Sequence, residues 1–114
     1  MAIAQGDIWW ADRGEPRGSA AGYRRPVVVV QGDALNRSRI GTVVCVPLTS
    51  NLKWKDAPGN VWLSKQATGL EKESVANVSL LVAIDKHQFV DHVGRISRRQ
   101  LERVLSGIDV ILGK

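Results

Sequence analysis

The chain has 114 residues, 44% of them hydrophobic and 24% charged, with a formal net charge of +5. That length fits one domain, residues 1–114, around one core, and no apolar run approaches the length of a bilayer-spanning helix. The first seven residues lack the basic start and apolar core of a signal peptide, and a lone cysteine, Cys45, excludes an intrachain disulfide or a cysteine-based metal cluster and points to a reducing cytoplasm.

Asp7 to Ala11 reads as the first strand. Trp9 and Trp10 are neighbours on it and point to opposite faces, so one of them belongs to the core. The longest loop follows, Asp12 to Arg24, whose Gly14, Pro16, Gly18, Ser19 and Gly22 predict mobility. It runs into Arg24-Arg25-Pro26-Val27-Val28-Val29-Val30-Gln31, where four consecutive valines specify a strand buried on both faces. Arg25 therefore stands at the mouth of a rigid strand. Asp33 to Arg37 predicts a single helical turn capped by Asp33. Thr42 to Thr49 is an evident strand in which Cys45 serves as a small buried hydrophobe.

Further strands are expected over Asn60 to Ser64, where Trp62 alternates with Val61 and Leu63 and is expected to pack, over one long segment from Ser74 to Ile84, and over Phe89 to Ile96. The last segment is helical. Ser97-Arg98-Arg99-Gln100 fits a capping box, Leu101, Val104, Leu105, Ile108, Ile111 and Leu112 recur at helical spacing, and Gly113 can end the turn. Short antiparallel strands followed by one terminal amphipathic helix predict a mainly β fold, a small β-barrel with helical cover.

The positive charge is concentrated. Residues 13–39 hold six arginines against Glu15 and Asp33, while lysine dominates from 53 to 86. Arginine presents a planar fork that matches phosphate oxygens in pairs, so a nucleic acid or another polyanion is the leading partner.

Six segments, in order and spacing, resemble the MazF/PemK toxins of bacterial toxin–antitoxin pairs. They are Gly6-Asp7-Ile8-Trp9, Arg25-Pro26-Val27-Val28-Val29-Val30, Asp33-Ala34-Leu35-Asn36-Arg37, Val46-Pro47-Leu48-Thr49-Ser50, Ser74-Val75-Ala76-Asn77-Val78-Ser79 and Ala83-Ile84-Asp85-Lys86. The resemblance implies an SH3-like barrel with added helices, a homodimer, metal-independent and cofactor-free cleavage of single-stranded RNA, often mRNA, at short sequences, and a cognate antitoxin that blocks the site. It also implies that Arg25 and Thr49 are the catalytic pair. Such cleavage uses the neighbouring 2′-hydroxyl as nucleophile and leaves a 2′,3′-cyclic phosphate and a 5′-hydroxyl. The protein supplies proton transfer and stabilisation of the charge that grows on phosphorus.

RNA recognition needs cations and flat side chains. Arg17, Tyr23 and Arg24 are candidates for backbone contact or stacking, and Ser50, Asn51, Asn77 and Ser79 for hydrogen bonds to bases or sugars. Trp54, between Lys53 and Lys55, is a second stacking or partner-binding candidate. His87 and His92 fall near a hairpin and are read as exposed, and Asp7, Asp85 and Asp91 as turn and cap residues. Many relatives carry Gln where this chain has Leu80, which alters the groups offered to a base. A competing class is a non-catalytic binding module or CcdB-like toxin on the same barrel, the CcdB toxins poisoning DNA gyrase by protein contact. Those toxins act through the end of the C-terminal helix, commonly with a terminal aromatic residue, whereas this chain ends Ile111-Leu112-Gly113-Lys114.

Overall fold

A computed structural model of the chain describes residues 2–12, 14 and 24–114. The expected mobile loop, with Arg17 and Tyr23, lies almost wholly outside the described residues. Among the described residues seven strands form the sheet: β1 (Asp7–Asp12), β2 (Arg24–Val29), β3 (Thr42–Thr49), β4 (Val61–Leu63), β5 (Ser74–Ala76), β6 (Val82–Asp85) and β7 (Phe89–Arg95). Their order is β4-β5-β3-β2-β1-β7, with β6 also paired to β3, and each recorded pairing is antiparallel. Among the described residues three α-helices complete the fold: α1 (Asp33–Asn36), α2 (Lys65–Thr68) and α3 (Arg98–Leu112). The expected mainly β architecture with a terminal helix is what is observed.

The valine run explains the centre. Val28 and Val30 enter one apolar cluster together with Ile8, Val46, Leu48, Leu63 and the α3 residues Leu101 and Val104. Val27 and Val29 enter a second cluster on the other face, with Trp9, Ala11, Val43, Cys45 and Phe89. All four valines are buried, as the unbroken β-branched run requires, and each such side chain contributes about 2 kcal/mol through removal from water. Trp9 is the core tryptophan of the adjacent pair, meeting the Phe89 ring edge-on at 5.8 Å.

The segment Ser74–Ile84 is not one strand. Between the Leu48–Ala76 and Cys45–Val82 pairs, β3 advances by three residues and the facing chain by six. The surplus is taken up by a 3-10 turn over Val78–Leu80. Two polar groups hold the break: the Asn77 N–H donates to the Pro47 carbonyl at 3.0 Å, and the Val78 N–H donates to Asn60 Oδ1 at 3.0 Å. Apolar composition alone concealed this change of register.

Local signals at the helix ends are satisfied in partly unexpected ways. Gly32, not Asp33, is the N-cap of α1, without a side-chain cap bond. The Asp33 carboxylate instead accepts from the Gln5 N–H at 2.7 Å and Asn36 Nδ2 at 3.1 Å, and the Gln5 bond leads in holding its pKa below the usual carboxylate value. At α3 only half of the capping box forms. Ser97 Oγ accepts from the Gln100 N–H at 3.2 Å, but the Gln100 amide oxygen accepts from that same hydroxyl at 3.3 Å and not from the Ser97 backbone. Gly113 ends α3 in the left-handed region, φ 72°. Helix α2, missed in the sequence, is capped by Ser64 Oγ, which accepts from the Ala67 N–H.

Asp7 is more than a turn residue. Only 1% exposed, it accepts from the Ala4 N–H at 2.9 Å, Trp9 Nε1 at 3.3 Å and Arg95 Nε at 2.9 Å. The Arg95 pKa rises because of that hydrogen bond to Asp7 and the charge beside it. Asp85 caps the 3-10 turn at Lys86–Gln88, as expected.

Helix α3 seats on the first cluster through a backbone-to-backbone approach. A Cβ on Gly59 would lie 2.6 Å from the Gly107 carbonyl oxygen, and one on Gly107 would overlap the Gly59 carbonyl. An unconstrained helical Gly→Ala change gains about 1 kcal/mol in propensity. Here the opposite sign is expected: Gly107→Ala destabilises the protein by about 2 kcal/mol through overpacking, as read from urea unfolding. A variant at least as stable as the parent would show that α3 does not depend on this contact.

Candidate active site

The β2–β3 register is Val27 with Pro47, Val28 with Val46 and Val29 with Cys45. Continuing it by two residues sets Arg25 opposite Thr49. Arg25 is also paired with Ala11 on β1, and Thr49 with Val75 on β5, which faces Trp62 on β4. By that extension one row runs across β1, β2, β3, β5 and β4 through Arg25 and Thr49, although the β2–β3 hydrogen-bonded pairing itself ends at Val27 and Pro47. Trp62 ends this row on the edge strand and is 42% exposed, contrary to the packing expected for it. Its neighbours Val61 and Leu63 take the buried face beneath α3, and nothing among the described residues covers the other side of β4 enough to bury an indole.

Arg25 and Thr49 both line a cleft of about 800 Å³. Burial along β2 rises from exposed Arg24, through half-buried Arg25 and Pro26, to buried Val27. Arg25 makes no hydrogen bond or ion pair among the described residues. Its backbone is fixed by the sheet while its guanidinium keeps its donors. The Thr49 Oγ1 accepts from the Asn51 N–H at 3.1 Å. That bond orients the oxygen and leaves the O–H proton available as a donor. A loop-capping role and a role toward a ligand are therefore compatible for this hydroxyl.

The other candidates divide. Arg24, Ser50 and Asn51 line the same cleft. Arg24 is already engaged: its Nη2 donates to Asp91 Oδ2 at 2.7 Å, and its guanidinium lies 5.6 Å from the Trp10 ring centroid. Asn51 caps the 3-10 turn at Leu52–Trp54 by accepting from the Lys53 N–H. Asn77 and Ser79 are not among the residues lining the cleft. Ser79 Oγ donates to Asn77 Oδ1 at 3.0 Å, next to the Asn60 side chain that holds the carbonyl of Trp54. Trp54 is 45% exposed, with Lys53 Nζ 5.1 Å from its ring centroid, and Leu80 is 56% exposed.

Several cleft residues escaped sequence reasoning: Trp10 and Val93 on β1 and β7, and Leu70, Glu71 and Lys72 ahead of β5. A charged Glu71-Lys72-Glu73 triplet just after Gly69 was the available signal. Ser50, Glu71 and Lys72 also border a neighbouring cavity of about 530 Å³ that adds Lys65 and Gln66, so the polar surface continues beyond the cleft. His87 and His92 do not line the cleft. His92 stacks on Trp9 at 4.9 Å, with Nε2 3.0 Å from the Gly94 carbonyl and 3.5 Å from Asp7.

Among the described residues no helix is long and apolar enough to cross a membrane.

Residues 4–112 match the family described as the PemK-like, MazF-like toxin of type II toxin–antitoxin systems. Endoribonuclease MazF6 of Mycobacterium tuberculosis is 39% identical over 112 residues, 98% of this chain and 98% of its own length. Endoribonuclease EndoA of Bacillus subtilis is 27% identical over 112 residues, 98% of this chain and 96% of its own. Among solved structures, MazF from Deinococcus radiodurans has a TM-score of 0.80 at 22% identity, covering 100% of this chain and 99% of that one. An endoribonuclease in complex with its cognate antitoxin, from a mycobacterial species, has a TM-score of 0.75 at 22% identity, covering 98% and 94%. A nearly full-length family match and a relative 39% identical from end to end show that this chain belongs to the PemK-like, MazF-like toxin family.

Proposed function

We propose that this chain is an endoribonuclease toxin, one toxin domain acting in the cytoplasm, that cleaves single-stranded RNA at short sequences without a metal. The observation that carries the reading is the cleft itself. A half-buried Arg25, without a hydrogen-bond or ion-pair partner among the described residues, and the Thr49 hydroxyl line one cavity, in a chain whose end-to-end relatives are named endoribonucleases.

The chemistry follows from those two groups. The 2′-hydroxyl gives up its proton to solvent as its oxygen attacks phosphorus, the bond to the 5′-oxygen breaks, and that oxygen takes up a proton from solvent, leaving a 2′,3′-cyclic phosphate and a 5′-hydroxyl. Negative charge on the nonbridging oxygens rises along the way. The Arg25 fork donates to those oxygens most strongly when they carry the most charge, which lowers the barrier rather than merely binding the ground state. Thr49, its oxygen oriented by the Asn51 N–H, donates its proton to the phosphate or holds the attacking oxygen. Neither group is a ready base at neutral pH, since arginine stays protonated and a threonine hydroxyl is a very weak acid. Their part is charge stabilisation and positioning.

Ser50 and Asn51 border the cleft and are placed for bonds to bases or sugar hydroxyls. Arg17 and Tyr23, outside the described residues, and Asn77 and Ser79, which do not line the cleft, enter the proposal as side chains suited to RNA backbone, base or sugar contacts. The antitoxin presents an acidic, partly disordered segment to the same basic surface and competes with RNA. The chain works as a homodimer. The gyrase-poison reading is not favoured: the relatives named above are endoribonucleases.

Purified protein is expected to cleave single-stranded RNA in EDTA, and Arg25→Ala to lower that rate about a hundredfold. Because the guanidinium has no partner among the described residues, the same variant is expected to keep its unfolding free energy within about 0.5 kcal/mol. Intact RNA together with inhibited gyrase would reject the proposal in favour of its rival. A saturating acidic antitoxin peptide is expected to abolish cleavage, and undiminished cutting would refute a shared site. Sedimentation at micromolar concentration is expected to show a dimer, and a persistent monomer would contradict that assembly.

A further inference from the structure

The cleft contains a flat aromatic surface that neither the valine strand nor the catalytic pair explains. Trp10 faces Pro26 on β2 and Asp91 on β7 in the strand registers, one residue from the Ala11–Arg25 pair and so on the alternate face of the sheet. Its ring is half-buried and lines the cleft beside Arg25 and Thr49. Asp91 holds the Arg24 guanidinium at 2.7 Å, and that guanidinium lies 5.6 Å from the Trp10 ring centroid. Three neighbouring strands thus build one indole–guanidinium unit in the wall of the cleft, with the positive charge of Arg24 offset by a carboxylate.

We propose that Trp10 is a base-stacking residue of this cleft, and that the nucleobase adjoining the scissile phosphate lies against the indole with Arg24 positioned beside it. This rests on the ribonuclease reading above and names how its substrate is held. The physical grounds are independent of the catalytic pair. A single-stranded nucleic acid is gripped by a cation for its phosphate and a π-surface for its base, and the cleft offers both, from adjoining strands. Arg24, already neutralised by Asp91, is poorly suited to be a second phosphate clamp. A guanidinium plane, however, stacks on a base or a ring whether or not its charge is paired. Stacking tolerates any base but favours large rings, so Trp10 fixes where the strand sits and biases the base accepted there.

The test uses an RNA oligonucleotide spanning a mapped cut, with a 2′-deoxy sugar at the reacting position so that it binds without reacting. Single abasic sites are then placed at successive positions. For the unaltered protein, one abasic position beside the cut is expected to weaken binding about tenfold or more. Trp10→Ala is expected to weaken binding of the intact oligonucleotide by a similar factor and to show no further loss at that abasic position. Trp10→Phe, which keeps a ring, is expected to restore most of the affinity. Circular dichroism and urea midpoints identify any variant that has lost its fold, in which case the Trp10→Phe and abasic results decide. Cleavage by the unaltered protein with an abasic penalty that persists undiminished in Trp10→Ala would overturn the stacking inference and leave the ribonuclease reading standing. Failure of the unaltered protein to bind or cut RNA at all would overturn both.

Discussion

The pairing of β2 with β3 is the constraint on which the rest of the molecule depends. Both faces of β2 are buried, Val28 and Val30 in one cluster and Val27 and Val29 in the other. Side chains alternate with a period of two, so a slip of one residue would exchange the clusters and turn every neighbour to the wrong side. The register that satisfies both cores, Val28 against Val46, also brings Arg25 opposite Thr49. The position of the site is therefore decided by apolar packing several residues away. Arg25 lies where burial along the strand ends, held firmly by its backbone and left open at its tip.

Other cations show what is unusual about Arg25. Arg24 meets Asp91, Arg95 meets Asp7, Arg98 reaches Glu102 across one helical turn, and Lys86 Nζ donates to the carbonyls of Asn36 and Ser38 at 3.1 Å each. Apart from the Arg98–Glu102 pair, which is exposed and internal to α3, these contacts fasten loops and strand ends. A half-buried cation without such a partner adds little to the fold and keeps its donors for a ligand, the usual character of a group retained for chemistry at some expense in stability.

The fold was legible in the sequence wherever one signal dominated. Four consecutive valines and the period of Leu101, Val104, Leu105 and Ile108 marked β2 and α3 because burial has a fixed geometric repeat in each element. Where competing polar contacts decided the outcome, the pattern misled. The break after Ala76 is set by Asn60, distant in sequence, which captures the Val78 N–H. Asp33 has the chemistry of a cap but finds a better donor in Gln5. Trp62 alternates as a strand residue should, and its exposure follows from the place of β4 at the sheet edge, which composition does not encode. For the site, Arg25, Thr49 and Ser50 were recognisable through the family motifs and Asn51 as a polar loop residue beside them, whereas Trp10, Glu71 and Lys72 reach the cleft through strand register and loop path. The motif residues Asp7, Asn36 and Lys86 turn out to be fastenings of the scaffold, so resemblance alone does not separate chemistry from support.

The central claim is that Arg25 and Thr49 act on one phosphodiester as a unit, and a double-mutant cycle tests it most directly. Single-turnover cleavage rates of one RNA would be measured for the parent, Arg25→Ala, Thr49→Ala and the double variant. Groups that stabilise the same transition state are strongly non-additive, so the double variant is expected to be about as slow as the slower single variant. Losses that simply multiply, or a Thr49→Ala variant as fast as the parent, would contradict the account.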